Sequence, residues 1–288
     1  MSSRPKWLRV RAPTARETAG MKAVRSVLSR YRLTTVCQGA RCPNAVECWG
    51  NRTATFMLLG KICTRCCRFC AVPTGNPEGK VDWDEPERLA EACKELGLNY
   101  VVLTSVDRDD LADGGAALFA ASINAVKAQC PGSKVEALIP DFSGNESSIR
   151  KVIEAGPDVI GHNLETVRRL TPAMRDPRAG YDLSLQVLSQ CKRIAKSSFI
   201  KSSLMLGLGE TRTEIITALH DLRVSGVDAV TLGQYLQPTE KNVPVNRYLT
   251  PQEFEELAAD ARGLGFRLVI SGPLVRSSYH AERLFEER

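Results

Sequence analysis

The sequence predicts an α/β protein built as a partial (β/α)6 barrel of the TIM type. Three observations carry this expectation. At 288 residues and 43% hydrophobic content, the chain can bury one large core, and α/β barrels fill this length as a single unit. From residue 53 onward, short β-rich runs alternate with helical patterns of ten or more residues, which implies a parallel sheet. Polar and glycine-containing stretches also gather where the predicted strands end, the rim on which barrel enzymes carry their sites.

Taken in order, residues 16–31 place Met21, Val24, Val27 and Leu28 at helical spacing and read as a short amphipathic helix. Cys37, Cys42 and Cys48 follow as CxxxxCxxxxxC, with Gly39, Pro43, Asn44 and Gly50 as turn formers that let a loop wrap a metal. On spacing alone this triad suits zinc or an iron–sulfur cluster, since either accepts three thiolates and a fourth donor. Strands are expected at 53–59, 100–106, 134–140, 159–164, 199–206, 229–236 and 266–270. Helices are expected at 85–96, 116–129, 146–154, 184–195, 213–224 and 251–264. The chain then divides into an N-terminal extension (1–52), the barrel (53–265) and a C-terminal segment (266–288) that covers the barrel mouth.

Composition narrows the function classes. The net charge of +6 is spread along the chain, a mild field suited to an acidic protein partner, and no nucleic-acid motif accompanies it. There is no apolar run of 18 residues, so no membrane span is expected. Ten cysteines without an export signal indicate a reducing compartment, the cytoplasm, and the basic head up to Arg11 is too short for a presequence. The expected state is a monomer.

The chemistry centres on Cys63, Cys67 and Cys70, spaced CxxxCxxC directly after the first predicted strand. A 4Fe-4S cluster is normally held by four cysteines, so three in one turn leave an iron open. Arg65 and Arg68 are expected to lower the thiol pKa values, and Phe69 to shield the site from water. Cys66 is off the spacing and reads as a partly buried free thiol. Cys93, Cys130 and Cys191, in predicted helices, read as small core residues. The loop from Thr104 and Ser105 to Gly114 and Gly115 suits contacts with a small zwitterion, or is an acid-rich helix start. Glu165, after the fourth strand, is placed to accept from a ribose diol, and His162 reads as a satisfied structural histidine.

CxxxCxxC with an aromatic before its last Cys resembles the radical SAM superfamily. There the open iron chelates S-adenosylmethionine, and an electron cleaves the cofactor to methionine and a 5′-deoxyadenosyl radical. The second triad, Pro5-Lys6-Trp7-Leu8, the stretch Thr104 to Leu111, Lys201 to Glu210, Gln234 to Pro238 and the tail Arg276-Ser277-Ser278-Tyr279 together resemble the lipoyl synthases over essentially the whole chain. That resemblance implies two 4Fe-4S clusters: a catalytic one on Cys63, Cys67 and Cys70, and an auxiliary one on Cys37, Cys42, Cys48 and Ser278 that donates sulfur. It also implies a cofactor pocket including Phe69, Thr104, Ser105, Asn163, Glu165 and Lys201. One departure is Gly161, where Asp is expected before His162 and Asn163. The implied reaction is sulfur insertion at C6 and C8 of an octanoyl-lysine on a lipoyl domain. Implied partners are E2 subunits of 2-oxoacid dehydrogenases, the glycine cleavage H protein, a flavodoxin or ferredoxin, and iron–sulfur carriers. The alternatives are another sulfur-inserting radical SAM enzyme, against which the Arg276–Tyr279 tail argues, and an iron–sulfur scaffold, against which a barrel-sized sheet argues.

Overall fold

Seven parallel strands form one sheet in sequence order: β1 (Thr53–Leu58), β2 (Tyr100–Ser105), β3 (Lys134–Leu138), β4 (Val159–Gly161), β5 (Phe199–Leu206), β6 (Ala229–Gln234) and β7 (Leu268–Gly272). The structure is a computed structural model that describes residues 5–10, 12–39 and 42–285. Parallel neighbours need long crossovers, and helices occupy them: α4 (Glu85–Leu96), α5 (Ala116–Gln129), α6 (Glu146–Glu154), α7 (Thr171–Met174), α8 (Tyr181–Ile194), α9 (Arg212–Val224) and α10 (Pro251–Gly263) follow α1 (Ala15–Arg30), α2 (Val36–Gly39) and α3 (Ala45–Gly50) of the N-terminal part. Three helix starts are set by capping boxes, Thr14 with Glu17, Thr211 with Glu214 and Thr250 with Glu253. The expected strand at 266–270 joins the sheet, so the barrel extends past residue 265 and has a seventh strand paired to β6.

Strand residues alternate between the helix layer and the barrel interior. Phe56, Leu58, Val101, Leu103, Ile160 and Ile200 belong to the main apolar core under the helices, whereas Tyr100 and Val102 pack together inside. β4 is shorter than expected because Leu164 N–H takes the Ser202 hydroxyl (3.1 Å) instead of a ladder carbonyl, and Glu165 turns at φ 71°. Such a positive φ is uncommon for a side chain other than glycine and is found where a site demands it.

No ladder joins β1 to β7 among the described residues. The C-terminal segment runs along this seam instead. Leu274 O accepts from Asn44 Nδ2 at 2.7 Å, and the Ser278 hydroxyl lies 3.0 Å from that of Thr55 on β1. Further on, Phe285 packs against Tyr100 and Phe199, with the Lys134 ammonium 4.9 Å above its ring. Those three residues begin β2, β5 and β3. The end of the described segment therefore closes the barrel floor. This corrects the expectation that 266–288 covers the mouth: among the described residues of that segment Leu274 to Ser277 border it, and 286–288 lie outside the described residues. The reason is apolar: Leu284 and Phe285 find a dry floor among Val159, Phe199, Ala229 and Leu268.

Candidate active site

The loop after β1 is folded back by a clasp in which Cys63 N–H donates to Pro73 O and Gly75 N–H donates to Cys63 O, both at 2.9 Å. Asn242 ties down its far side, its Nδ2 donating to Arg68 O (3.1 Å) and Cys70 O (2.8 Å). Cys63, Cys67 and Cys70 thereby face one cavity of about 200 Å³ at the C-terminal ends of the strands, shared with Phe69, Thr104, Ser105, Asn163 and Glu165. Phe69, Asn163 and Glu165 also line a neighbouring groove of about 720 Å³, walled by Leu8, Val10, Tyr235, Leu236, Val275 and Arg276. The two spaces meet at those shared residues.

The second triad lies where the two ends of the chain meet. α2 carries Cys37, α3 carries Cys48, and Cys42 N–H donates to Cys37 O at 3.0 Å. Cys37 and Cys42 face a cavity of about 400 Å³ with Trp49, and Cys48 opens on a crevice with Tyr279 and His280. Burial raises Cys42 and Cys48, with Cys37 close enough to add to both and Arg276 to oppose at Cys42, and the Tyr279 hydroxyl donates to Glu47 at 3.0 Å. Ser278, between Arg276 and Tyr279, is thus carried to the second triad's side of the barrel.

The radical SAM superfamily pattern matches residues 57–222. A lipoyl synthase of Thermus thermophilus is 55% identical over 285 residues, covering 99% of this chain and 87% of that one. Another, of Pyrobaculum arsenaticum, is 55% identical and covers 99% of this chain and 96% of its own. The chain belongs to the lipoyl synthases. Among solved structures, the FeFe-hydrogenase maturase HydG from Carboxydothermus hydrogenoformans superposes with a TM-score of 0.59 at 12% identity, covering 94% of this chain and 78% of that one. Methylornithine synthase gives 0.53 at 16%, covering 93% and 88%. At such identities these likenesses show the fold alone.

As a lipoyl synthase the chain is a radical SAM sulfurtransferase whose cofactors are two 4Fe-4S clusters and S-adenosylmethionine, and lipoyl-domain proteins are its substrates. The donor sets fit. Among the described residues no three Cys, His, Asp or Glu side chains close on a point as ligands of a single ion would; the first triad instead surrounds a cavity with room for a larger group. Burial pushes Cys63 up to about 11 and Cys67 and Cys48 up to about 12. Buried thiols become thiolates only when a metal's positive charge arrives, so these sites couple metal binding to proton release. Ser105 Oγ is buried without a partner at the cavity wall, a hydroxyl left for a polar guest.

Several expectations need correcting. The Arg65 guanidinium does not lower the thiol pKa values, because it is consumed by Asp109 and Asp141, both at 2.8 Å or less at closest; at Cys63 burial dominates, and what Arg65 supplies against it is its backbone N–H. The cation that acts on Cys67 is Arg175, which the sequence reading passed over. Its guanidinium is buried at the cavity wall; Nη1 donates to Ser184 at 2.7 Å and Nε has no partner. Asp107, which nothing in its loop sequence sets apart, lies 3.8 Å from Cys63 Sγ, and burial raises its carboxyl to about 6.

Lys201 does not line the cavity. Its ammonium sits deeper in the barrel, 2.6 Å from the Glu136 carboxylate, which also accepts from Tyr100 OH at 2.8 Å. The next inward positions, Ser203 and Met205, are the ones that reach the mouth. Gly161 stands beside the same carboxylate: an added Cβ would lie 3.6 Å from Glu136 Oε1 and 3.2 Å from Leu138. An Asp there would set two carboxylates together in a dry interior, so glycine is compatible with Glu136. His162 is structural as read, its nitrogens 3.0 Å from Ile139 O and Ser184 Oγ, and burial lowers its pKa to about 4. Cys66 is exposed rather than partly buried.

Proposed function

We propose that the chain inserts sulfur at C6 and C8 of an octanoyl chain carried on a lysine of a lipoyl domain, with Cys63, Cys67 and Cys70 holding the cluster that binds S-adenosylmethionine. Cys37, Cys42, Cys48 and Ser278 then hold the auxiliary cluster consumed as sulfur donor. The observation that supports this is the joining of the thiol-lined cavity to the larger groove at Phe69, Asn163 and Glu165, with the groove's far wall made by Leu274 to Ser277, whose Leu274 O accepts from Asn44 between Cys42 and Cys48 of the second triad. Unactivated C–H bonds have no acidic proton, and the bound cofactors supply the 5′-deoxyadenosyl radical that such bonds require.

The protein's part is placement and exclusion of water. Leu8, Tyr235, Leu236 and Val275 offer an apolar wall for an alkyl chain, while Asn163 Nδ2 donates to Glu165 Oε1 at 3.2 Å and orients that carboxylate toward a ribose. Arg175 is the cation available to the cofactor's carboxylate. Trp7 Nε1 donates to Leu249 O at 3.2 Å and pins the N-terminal segment that brings Leu8 to the groove. E2 subunits of 2-oxoacid dehydrogenases and the glycine cleavage H protein are the proposed carriers; flavodoxin or ferredoxin supplies electrons, iron–sulfur carriers rebuild the cluster, and the compartment is the cytoplasm. No helix among the described residues is long and apolar enough to cross a membrane.

The test is anaerobic turnover of an octanoylated lipoyl-domain peptide by the reconstituted protein, read by mass spectrometry. A product gaining two sulfur atoms is expected; cleavage of S-adenosylmethionine without any sulfur-bearing peptide overturns the reading. Arg175→Gln is expected to weaken S-adenosylmethionine binding about 10- to 100-fold, since a hydrogen bond to a charged group contributes about 1.5–3 kcal/mol, and iron counting should show both clusters retained. Ser278→Cys is expected to keep its iron and cleave the cofactor yet lose most lipoyl product, because a soft thiolate stays on iron where an oxygen ligand leaves. Full product formation by that variant would show that release of Ser278 is not needed.

A further inference from the structure

Each thiol of the first triad receives a backbone N–H. Arg65 donates to Cys63 Sγ and Val72 to Cys70 Sγ, both at 3.4 Å and both from two residues along the chain, so the loop supplies these bonds itself. The third donor comes from elsewhere: Asp176 N–H points at Cys67 Sγ, 3.3 Å away and 109 residues distant in sequence. The carboxylate of Asp176 reaches back to the same loop and accepts Cys66 N–H at 3.0 Å. Arg178 fastens the pair, its Nε donating to Asp176 at 2.8 Å and its Nη2 to Thr64 O at 2.6 Å. The Asp176 side chain is 3% exposed, so its hold on the Cys66 N–H is made largely out of water, where hydrogen bonds hold geometry best, while Arg178 closes it from the surface.

An N–H aimed at a thiolate sulfur draws charge away from the metal that the sulfur ligates. It favours the reduced, more negative state of a cluster and raises its potential. We propose that Asp176 is a positioning residue that sets the reduction potential of the cluster on Cys63, Cys67 and Cys70, by holding its own N–H on Cys67. The preceding residue is Arg175, whose guanidinium lines the same cavity, so one short stretch carries both a cation for the cofactor and the donor that tunes the cluster. The inference rests on the assignment of the first triad as cluster ligands.

Reductive titration of the reconstituted holoprotein tests it, following the paramagnetic resonance signal that changes when S-adenosylmethionine is added. Asp176→Ala is expected to shift the potential to more negative values at unchanged iron content. Asp176→Asn keeps an acceptor for Cys66 N–H and is expected to return most of the way to the parent value. An Asp176→Ala protein with full iron and an unshifted potential overturns the proposal. If that variant holds too little iron to titrate, Arg178→Ala decides: a negative shift supports the proposal and an unshifted potential overturns it. Cys67→Ala is run alongside, and retention of the S-adenosylmethionine-responsive signal there would overturn the ligand assignment itself, a result distinct from an unshifted potential.

Discussion

Cys63→Ala is expected to abolish reductive cleavage of S-adenosylmethionine, and Cys37→Ala to leave cleavage and 5′-deoxyadenosine formation in place but yield no carbon–sulfur bond. The contrast is expected because the two triads lie in different cavities. Cys63 shares its space with Ser105, Asn163, Glu165 and Arg175 at the C-terminal ends of the strands, the place for a small polar cofactor. Cys37 faces Met21, Arg25, Gln38, Ala45 and Trp49 outside the barrel, away from the strand ends. Chromatography of 5′-deoxyadenosine together with mass spectrometry of the peptide checks both halves. Sulfur insertion by Cys37→Ala would remove the donor role from the second site. Anaerobic iron counting should give about eight irons for the parent protein, from four per cluster, and about half in either variant.

Lys201→Met is expected to cost about 3–5 kcal/mol of stability, the penalty of leaving a buried charge without its partner. Lys201 and Glu136 side chains are 2% and 0% exposed, and the carboxylate retains only Tyr100 OH once the ammonium is gone. Adding Glu136→Gln to Lys201→Met should restore most of the loss, because a neutral amide still accepts from Tyr100 and leaves no charge to desolvate. Anaerobic urea unfolding followed by circular dichroism measures both steps. A loss below about 1 kcal/mol for the single variant would mean that water reaches the pair, as at an exposed ion pair. The same variant separates structure from cofactor binding: affinity for S-adenosylmethionine should follow folded protein, since Lys201 lies below the cavity.

Much of this molecule was legible in one dimension because its signals are local. Helices at 85–96, 116–129 and 146–154 were read at the bounds later found for α4, α5 and α6, since apolar periodicity and flanking turn residues sit within the segments themselves. Parallel order followed from strand–helix alternation, and the cysteine triads from spacing. Residues whose role depends on a partner far along the chain were not legible. Nothing around Arg175, Asp176 and Arg178 marks them as a bracket for Cys66 and Cys67, because the contact spans more than a hundred residues.

Lys201 shows the same limit from the other side. Its place at the head of the matching stretch Lys201 to Glu210 suggested the cofactor pocket, but the pleat decides which inward residue reaches the mouth, and Ser203 and Met205 do. Arg65 was expected to act on its neighbouring thiols, yet charge acts through space, and the nearest charges were Asp109 and Asp141 from two other loops. The C-terminal segment was expected over the mouth because its tail motif belongs with the second triad. The seam between β1 and β7 and the apolar floor under Tyr100 and Phe199 exist only once the sheet has curved, and they draw Ser278 to Thr55 and Phe285 beneath the strands. What the sequence by itself determined was the order of strands and helices, the two thiol triads and the chemistry their spacing permits. Tertiary structure alone decided which charges face the thiols, which lysine is buried, and how the two ends of the chain meet, because each depends on distances that only the closed sheet establishes.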